Sequence, residues 1–154
     1  MGEHTARVVW SLGAGEDFTS SRYSRAHHWH FDGGAVVPAS SSPLSVPVPM
    51  SDASAVDPEE ALVAATSACH MLWFLALAAR KGIAITSYDD EAIGLMGPDD
   101  EGRTAMTEII LRPRLTFEAG AEPEPGVLES LHHDAHAACY IARSLRCPVR
   151  VEPA

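Results

Sequence analysis

Two cysteines, Cys69 and Cys139, are the side chains in this sequence best suited to covalent chemistry, and seventy positions separate them. A thiolate is a strong nucleophile, but a free thiol with a pKa of ~8.5 is mostly protonated at neutral pH, so a reactive cysteine needs a cation or helix N-terminus beside it. Residue type alone makes neither one reactive, because unpaired cysteine is among the most buried residue types and often serves as a small apolar filler. Cys147, just before the last predicted strand, has only that plain reading. The histidines suggest a second chemistry. His132, His133, His136 and Cys139 include pairs at helical spacing, and His27, His28 and His30 cluster upstream. His132 and His136 would share a helical face, as zinc-binding pairs do, yet no HExxH or CxxC accompanies them. His27 and His28, on a strand, would face opposite ways. No metal or cofactor is therefore expected. Thr66, Ser67 and His70 hint at a hydrolase but lack a GxSxG elbow.

Both cysteines fall on predicted helices. Asp57 can cap the first, Pro58 suits its first position, and Glu60 completes a capping-box pattern. Glu59 and Glu60 suit the positive end of the helix dipole; Arg80 and Lys81 suit the other end, and Gly82 stops the helix. Its middle, ALVAATSACHMLWFLALAA, is apolar on every face and must be surrounded by protein, which two such helices packed together in a dimer would provide. Cys69 sits too deep in this helix to gain much from the dipole, which acts within about one turn. A second helix is expected from about Glu124 to Leu145. Leu128, Leu131, Ala135, Ala138, Ala142 and Leu145 form its buried stripe, with Cys139 beside it.

The remainder reads as strands and turns. Ala6–Leu12 and Arg22–Phe31 are strands, the second closed by the hairpin signal Asp32-Gly33-Gly34. Pro38 to Val56, with four prolines and many serines, is an extended loop or arm. Ile83–Met96 and Thr104–Phe117 read as two long strands around a Gly97–Gly102 turn, and Val149–Glu152 as a last strand. The expectation is one α+β domain over residues 1–154.

Eleven basic against 21 acidic residues give a formal net charge of −10. Such a surface repels phosphate backbones and anionic lipid, so neither nucleic acid nor membrane is an expected partner. The N-terminal residues lack the pattern of a signal peptide. The longest apolar run, Ala68–Ala79, contains His70 and falls short of the ~20 residues that span a bilayer. A cytoplasmic location is expected, where any bond between cysteines would be redox-linked rather than a scaffold.

The spacing of the cysteine segments carries a further signal. DPEEALVAATSACHM (57–71) places Pro58-Glu59 ten residues before Cys69, and AHAACYIARSL (135–145) has the order Ala-His-x-x-Cys at Ala135, His136 and Cys139. Together with YSRAHHWHFDGG (23–34) and VRVEP (149–153), these segments resemble the OsmC/Ohr family, in an OsmC-like subgroup. The resemblance implies antiparallel sheets packed around two central helices in an intertwined homodimer. It implies a peroxidase cycle in which Cys69 is oxidised by an organic hydroperoxide to a sulfenic acid and condenses with Cys139 to a disulfide, which a dithiol reduces. That dithiol is lipoyl-linked in the Ohr branch. It implies an activating arginine from the N-terminal sheet, held by the glutamate of the first motif: Glu59, with Arg25 as the arginine and Arg22 as the alternative. Glu59 and Cys69 lie about 15 Å apart along a continuous helix. Either the helix is broken or the Glu59–arginine pair approaches the partner's cysteine. Small residues at Ala65, Ala68, Ala135 and Ala138 would let the cysteine segments approach. The chain departs from the family pattern at Tyr140, where proline is frequent, and at His70, where a larger apolar residue is common. A second reading is a non-catalytic module for a small hydrophobic ligand, with the cysteines lining an interface pocket.

Overall fold

Strand β1 (Ala6–Val9), β2 (His27–Phe31) and β3 (Val36–Ala39) form an antiparallel sheet in the order β1-β2-β3. The computed structural model describes residues 2–153, and the chain divides into two units, residues 1–61 and 62–154. The β2–β3 hairpin closes where expected: Gly34 has φ +88° and Phe31 N–H donates to the Ala35 carbonyl at 3.0 Å. Its second strand runs through Pro38, tolerated because β3 lies on the edge of the sheet. β2 is shorter than expected, because Arg22 to Ala26 fold into the long β1–β2 connection instead. There Glu16 accepts the backbone N–H groups of Gly13 (2.8 Å) and Ser24 (2.9 Å), while Trp10, Phe18 and Tyr23 pack ring to ring.

The proline- and serine-rich stretch after β3 is not an arm. It returns to its own start, where Ser40 N–H donates to the Val56 carbonyl and Val56 N–H to the Pro38 carbonyl, both at 3.1 Å. Ser40 Oγ pins the loop by accepting Asp52 N–H at 2.9 Å.

Helix α1 (Pro58–Arg80) starts and stops as its sequence dictates. Asp57 Oδ1 accepts Glu60 N–H at 2.8 Å, and Asp57 N–H returns a bond to Glu60 Oε2 at 3.1 Å, a closed capping box. At the far end Gly82 takes φ +72°, Gly82 N–H bonds the Ala79 carbonyl and Ile83 N–H the Ala78 carbonyl, the glycine-ended termination a β-carbon would strain. By length and composition α1 would suffice to cross a bilayer. Yet Thr66, His70, Phe74 and Ala78, one stripe at four-residue spacing, are buried in the second unit, as on a core helix. The expectation that α1 is covered on every face does not hold within one chain: Ala65, Ala68, Leu72, Ala76 and Ala79 form an exposed apolar stripe, with Leu72 62% exposed.

The two long strands expected after α1 are four. β4 (Ile85–Asp90) pairs antiparallel with β7 (Pro113–Phe117); β5 (Ile93–Pro98) pairs antiparallel with β6 (Thr104–Leu111), which pairs parallel with the edge strand β8 (Val149–Val151). Both strands break at one point for a chemical reason. Asp90 accepts Arg112 N–H at 2.6 Å and the Ser67 hydroxyl at 2.5 Å, and Pro113, next along, has no N–H to offer a ladder. The chain therefore changes sheets there. Gly94 on β5 approaches closely: a β-carbon would fall 2.6 Å from Val63 and from Met106. β8 departs from the expected antiparallel pattern because the helices after β7 supply the crossover that a parallel pair requires.

The second predicted helix is also divided. α2 (Pro125–Ala138) ends at Cys139, and a short α3 (Tyr140–Ser144) follows. α1 and α2 meet in a core of Phe74, Ala78, Leu131 and Ala135, against which Leu77, Ile83, Tyr88 and Leu115 pack. The architecture is α+β.

Candidate redox-active cysteine site

Cys69 projects from the middle of an unbroken α1 and is half-buried, whereas Cys139 is fully buried at the α2–α3 break. Cys139 makes that break itself. Its backbone is extended (φ −65°, ψ 111°), and its Sγ accepts Ala142 N–H at 3.4 Å, so the thiol caps α3 as a serine hydroxyl would. Cys139 N–H donates to the His136 carbonyl at 3.2 Å and its own carbonyl accepts from Arg143 N–H at 3.1 Å, which fixes the residue from both sides. The two thiols lie side by side, Cys69 within hydrogen-bond reach of Cys139, and both are free. Burial first, then the hydrogen bond with Cys69, push the Cys139 thiol up to about 11, against the smaller opposing pull of the Ala142 N–H. At neutral pH Cys139 is therefore a protonated thiol. Trp73, one turn after Cys69, meets the ring of Tyr140 edge to face at 5.5 Å, so an aromatic pair flanks the cysteines.

Beside them lies a pair of buried histidines that the sequence reading did not connect. His70, next to Cys69, and His132 are 1% and 5% exposed, and His70 Nε2 lies 3.1 Å from His132 Nδ1 with the ring planes within 5° of parallel. Phe74 stacks on His132 at 4.2 Å. Burial drives both imidazoles down to about 4; for His70, the neighbouring His132 and His136 add to it, while for His132 the Asp90 carboxylate opposes it. Both are neutral at pH 7. The four-residue spacing of His132 and His136 suggested zinc, but His132 spends one nitrogen on His70, and among the described residues no three His, Cys, Asp or Glu side chains converge on a common point. On β2, His27 Nε2 accepts Trp29 Nε1–H at 2.9 Å, which leaves the proton on Nδ1 to donate to the Arg25 carbonyl at 2.8 Å.

The expected activating groups are not assembled within the first unit. The Arg25 guanidinium lies 3.6 Å over the Tyr23 ring and donates to the carbonyls of Ser21 (3.0 Å) and Tyr23. Arg22 pairs with Asp17 at 3.3 Å on the surface. Glu59 is half-buried and, among the described residues, forms no ion pair with either arginine. Since α1 is continuous from Glu59 to Cys69, the broken-helix alternative falls away. A cavity of about 480 Å³ runs beside α2 and β8, lined by Leu128, His132, His136, Val149, Val151 and Pro153 among others; neither Cys69 nor Cys139 lines it.

Residues 51–154, which hold both cysteines and the glutamate, match the family described as OsmC-like protein. The chain belongs to the OsmC-like protein family. An OsmC-like protein of unknown function from Vibrio cholerae is 47% identical over 100% of both chains, with a TM-score of 0.97. The same fold recurs in an organic hydroperoxide resistance protein, OsmC, of Legionella pneumophila (16% identity, 99% of this chain and 97% of that one, TM-score 0.67). It recurs again in the organic hydroperoxide resistance protein OhrB of Bacillus subtilis (17% identity, 97% and 98%, TM-score 0.62). No curated protein matches the chain. At such low identity the last two OsmC-like relatives establish the fold and nothing finer.

Proposed function

We propose that this chain is a cysteine-dependent peroxidase that reduces organic hydroperoxides. The observation that carries the reading is the juxtaposition of two free thiols seventy residues apart, one half-exposed on a regular helix and one buried and protonated behind it. The Cys69 thiolate attacks the terminal oxygen of the hydroperoxide. The O–O bond breaks, the alkoxide takes a proton and leaves as an alcohol, and Cys69 becomes a sulfenic acid. Cys139 sulfur then attacks the Cys69 sulfur; its thiol proton and the departing hydroxide form water, and a Cys69–Cys139 disulfide results. A dithiol reduces that disulfide, becoming a disulfide itself. The lipoyl-linked dithiol of the Ohr branch is one candidate. The choice of substrate class follows the descriptions of two solved proteins that share this fold, both organic hydroperoxide resistance proteins, and rests on the fold alone.

The working form is a homodimer. The exposed apolar stripe of Ala65, Ala68, Leu72, Ala76 and Ala79 is a face that a second α1 would cover. In such a dimer, Glu59 and Arg25 (with Arg22 the alternative) serve the partner's cysteine, because no glutamate side chain spans the ~15 Å separating it from Cys69 on its own helix.

Consumption of cumene hydroperoxide and of hydrogen peroxide, with a dithiol present, tests the cycle in wild type, Cys69→Ser and Cys139→Ser. Turnover is expected to vanish in Cys69→Ser, and Cys139→Ser is expected to accumulate a sulfenic acid that dimedone labels. A wild type no faster than Cys69→Ser would sink the reading and leave the small-ligand module, with the cavity beside α2 as its place.

A further inference from the structure

The cysteines can form a bond only if α1 and α2 hold one register. The core between these helices is built of Phe74, Ala78, Leu131 and Ala135, whose contacts are apolar and non-directional. One contact is directional. The 3.1 Å bond between His70 Nε2 and His132 Nδ1 joins α1 to α2, beside the contact of Cys69 with Cys139 itself. It sits at the cysteines: His70 follows Cys69 directly, and His132 precedes Cys139 by seven residues, two turns along the same face of α2.

We infer that the His70–His132 bond is a positioning device that sets the register of α1 against α2 and thereby holds Cys69 and Cys139 together for disulfide formation. The inference rests on the cysteine cycle proposed above. The bond carries one proton, donated by whichever ring holds it, and the outer nitrogens, His70 Nδ1 and His132 Nε2, are buried without a partner. A slide by one residue, about 1.5 Å, would open the bond and strand two imidazoles in an apolar core, a larger penalty than the bond itself is worth. The rings are held for that purpose. Phe74 covers the face of His132, and Asp90 of β4 and His136 of α2 are titratable groups that act on the pair. Neither histidine touches the reacting atoms, so their role is indirect.

The effective concentration of the two thiols, read from the equilibrium between the Cys69–Cys139 disulfide and glutathione in a Cys147→Ala background, tests this without any peroxide. An asparagine amide occupies the place of an imidazole Nδ1 and a glutamine amide the place of Nε2, so His132→Asn preserves the bond while His132→Gln, equally polar, does not. His132→Asn is expected to stay within about twofold of wild type and His132→Gln to fall by roughly tenfold, the equilibrium factor of one lost buried hydrogen bond. The rate of sulfenic acid formation at Cys69 is expected to be the same in both. Equal effective concentrations in the Asn and Gln variants would overturn the inference. So would a His70→Leu/His132→Leu double variant that matches wild type, because packing alone would then set the register. A wild type inert towards peroxides that still shows the Asn–Gln difference would remove the peroxidase reading and leave the positioning role standing.

Discussion

The two cysteine-bearing helices solve opposite problems. α1 runs 23 residues without interruption, is capped at both ends, and presents Cys69 as one residue on a regular surface, half-exposed. α2 is interrupted at its cysteine, and the extended backbone there turns the Cys139 thiol inward, where it is fully buried and caps the next short helix. In the peroxidase cycle proposed above, the attacking thiol has to be reachable by substrate, which a regular helix surface gives, and the resolving thiol has to stay out of the way until its partner is oxidised. The break at Cys139 turns that thiol inward, and burial keeps it protonated.

Four experiments would break or sharpen that contrast. The largest effect is expected where the helices meet. Phe74→Ala removes a fully buried ring that touches His132 and Tyr88, and should cost about 3–5 kcal/mol in urea unfolding. A loss under ~1 kcal/mol would mean the ring does not join α1 to α2. The second concerns pH. Folding lowers His70 and His132 from 6.5 to about 4, so between those values the unfolded chain binds protons that the fold refuses. Stability should therefore fall as pH drops from 6.5 towards 4, by something on the order of 2 kcal/mol for each histidine at pH 5, and level off below about pH 4. His136 and Asp90 act on the pair, and of these the Asp90 carboxylate favours the charged form of His132 and so moderates the fall. Thermal unfolding across the range checks the slope, which should flatten in the double leucine variant.

Asp57→Ala should cost about 1 kcal/mol by opening the capping box at the start of α1. Circular dichroism melts read that loss, and no change at all would show that α1 is held without its cap. The smallest effect belongs to the other helix. Ala142→Pro deletes the N–H that Cys139 Sγ accepts, so the Cys139 thiol should titrate higher than about 11, by less than about one unit. Ultraviolet thiolate absorbance measures it, and a downward shift would show that the α3 cap does not act on this thiol.

Local signals in the sequence were read accurately where the structure uses them locally. The Asp57–Glu60 box, the stop at Gly82 and the Asp32-Gly33-Gly34 hairpin each involve groups within a few residues of one another, and all three form. The errors share a cause. Ile83–Met96 and Thr104–Phe117 look continuous because their residue types suit strands throughout, and only Asp90, reaching across to Arg112 N–H and Ser67, divides them. The stripe from Leu128 to Leu145 likewise conceals the stop at Cys139, since the cap that replaces the helix bond is made by the cysteine itself.

By itself, the sequence determined the element types, the limits of α1, the α+β class and the two cysteines worth watching, because capping, turn chemistry and hydrophobic periodicity act over a few residues. Tertiary structure alone decided that Cys139 is buried and breaks its helix, that the two thiols lie side by side, and that His70 and His132 share a proton between helices. Those features depend on groups brought together from up to seventy residues apart, whose burial and register arise only when the whole core closes.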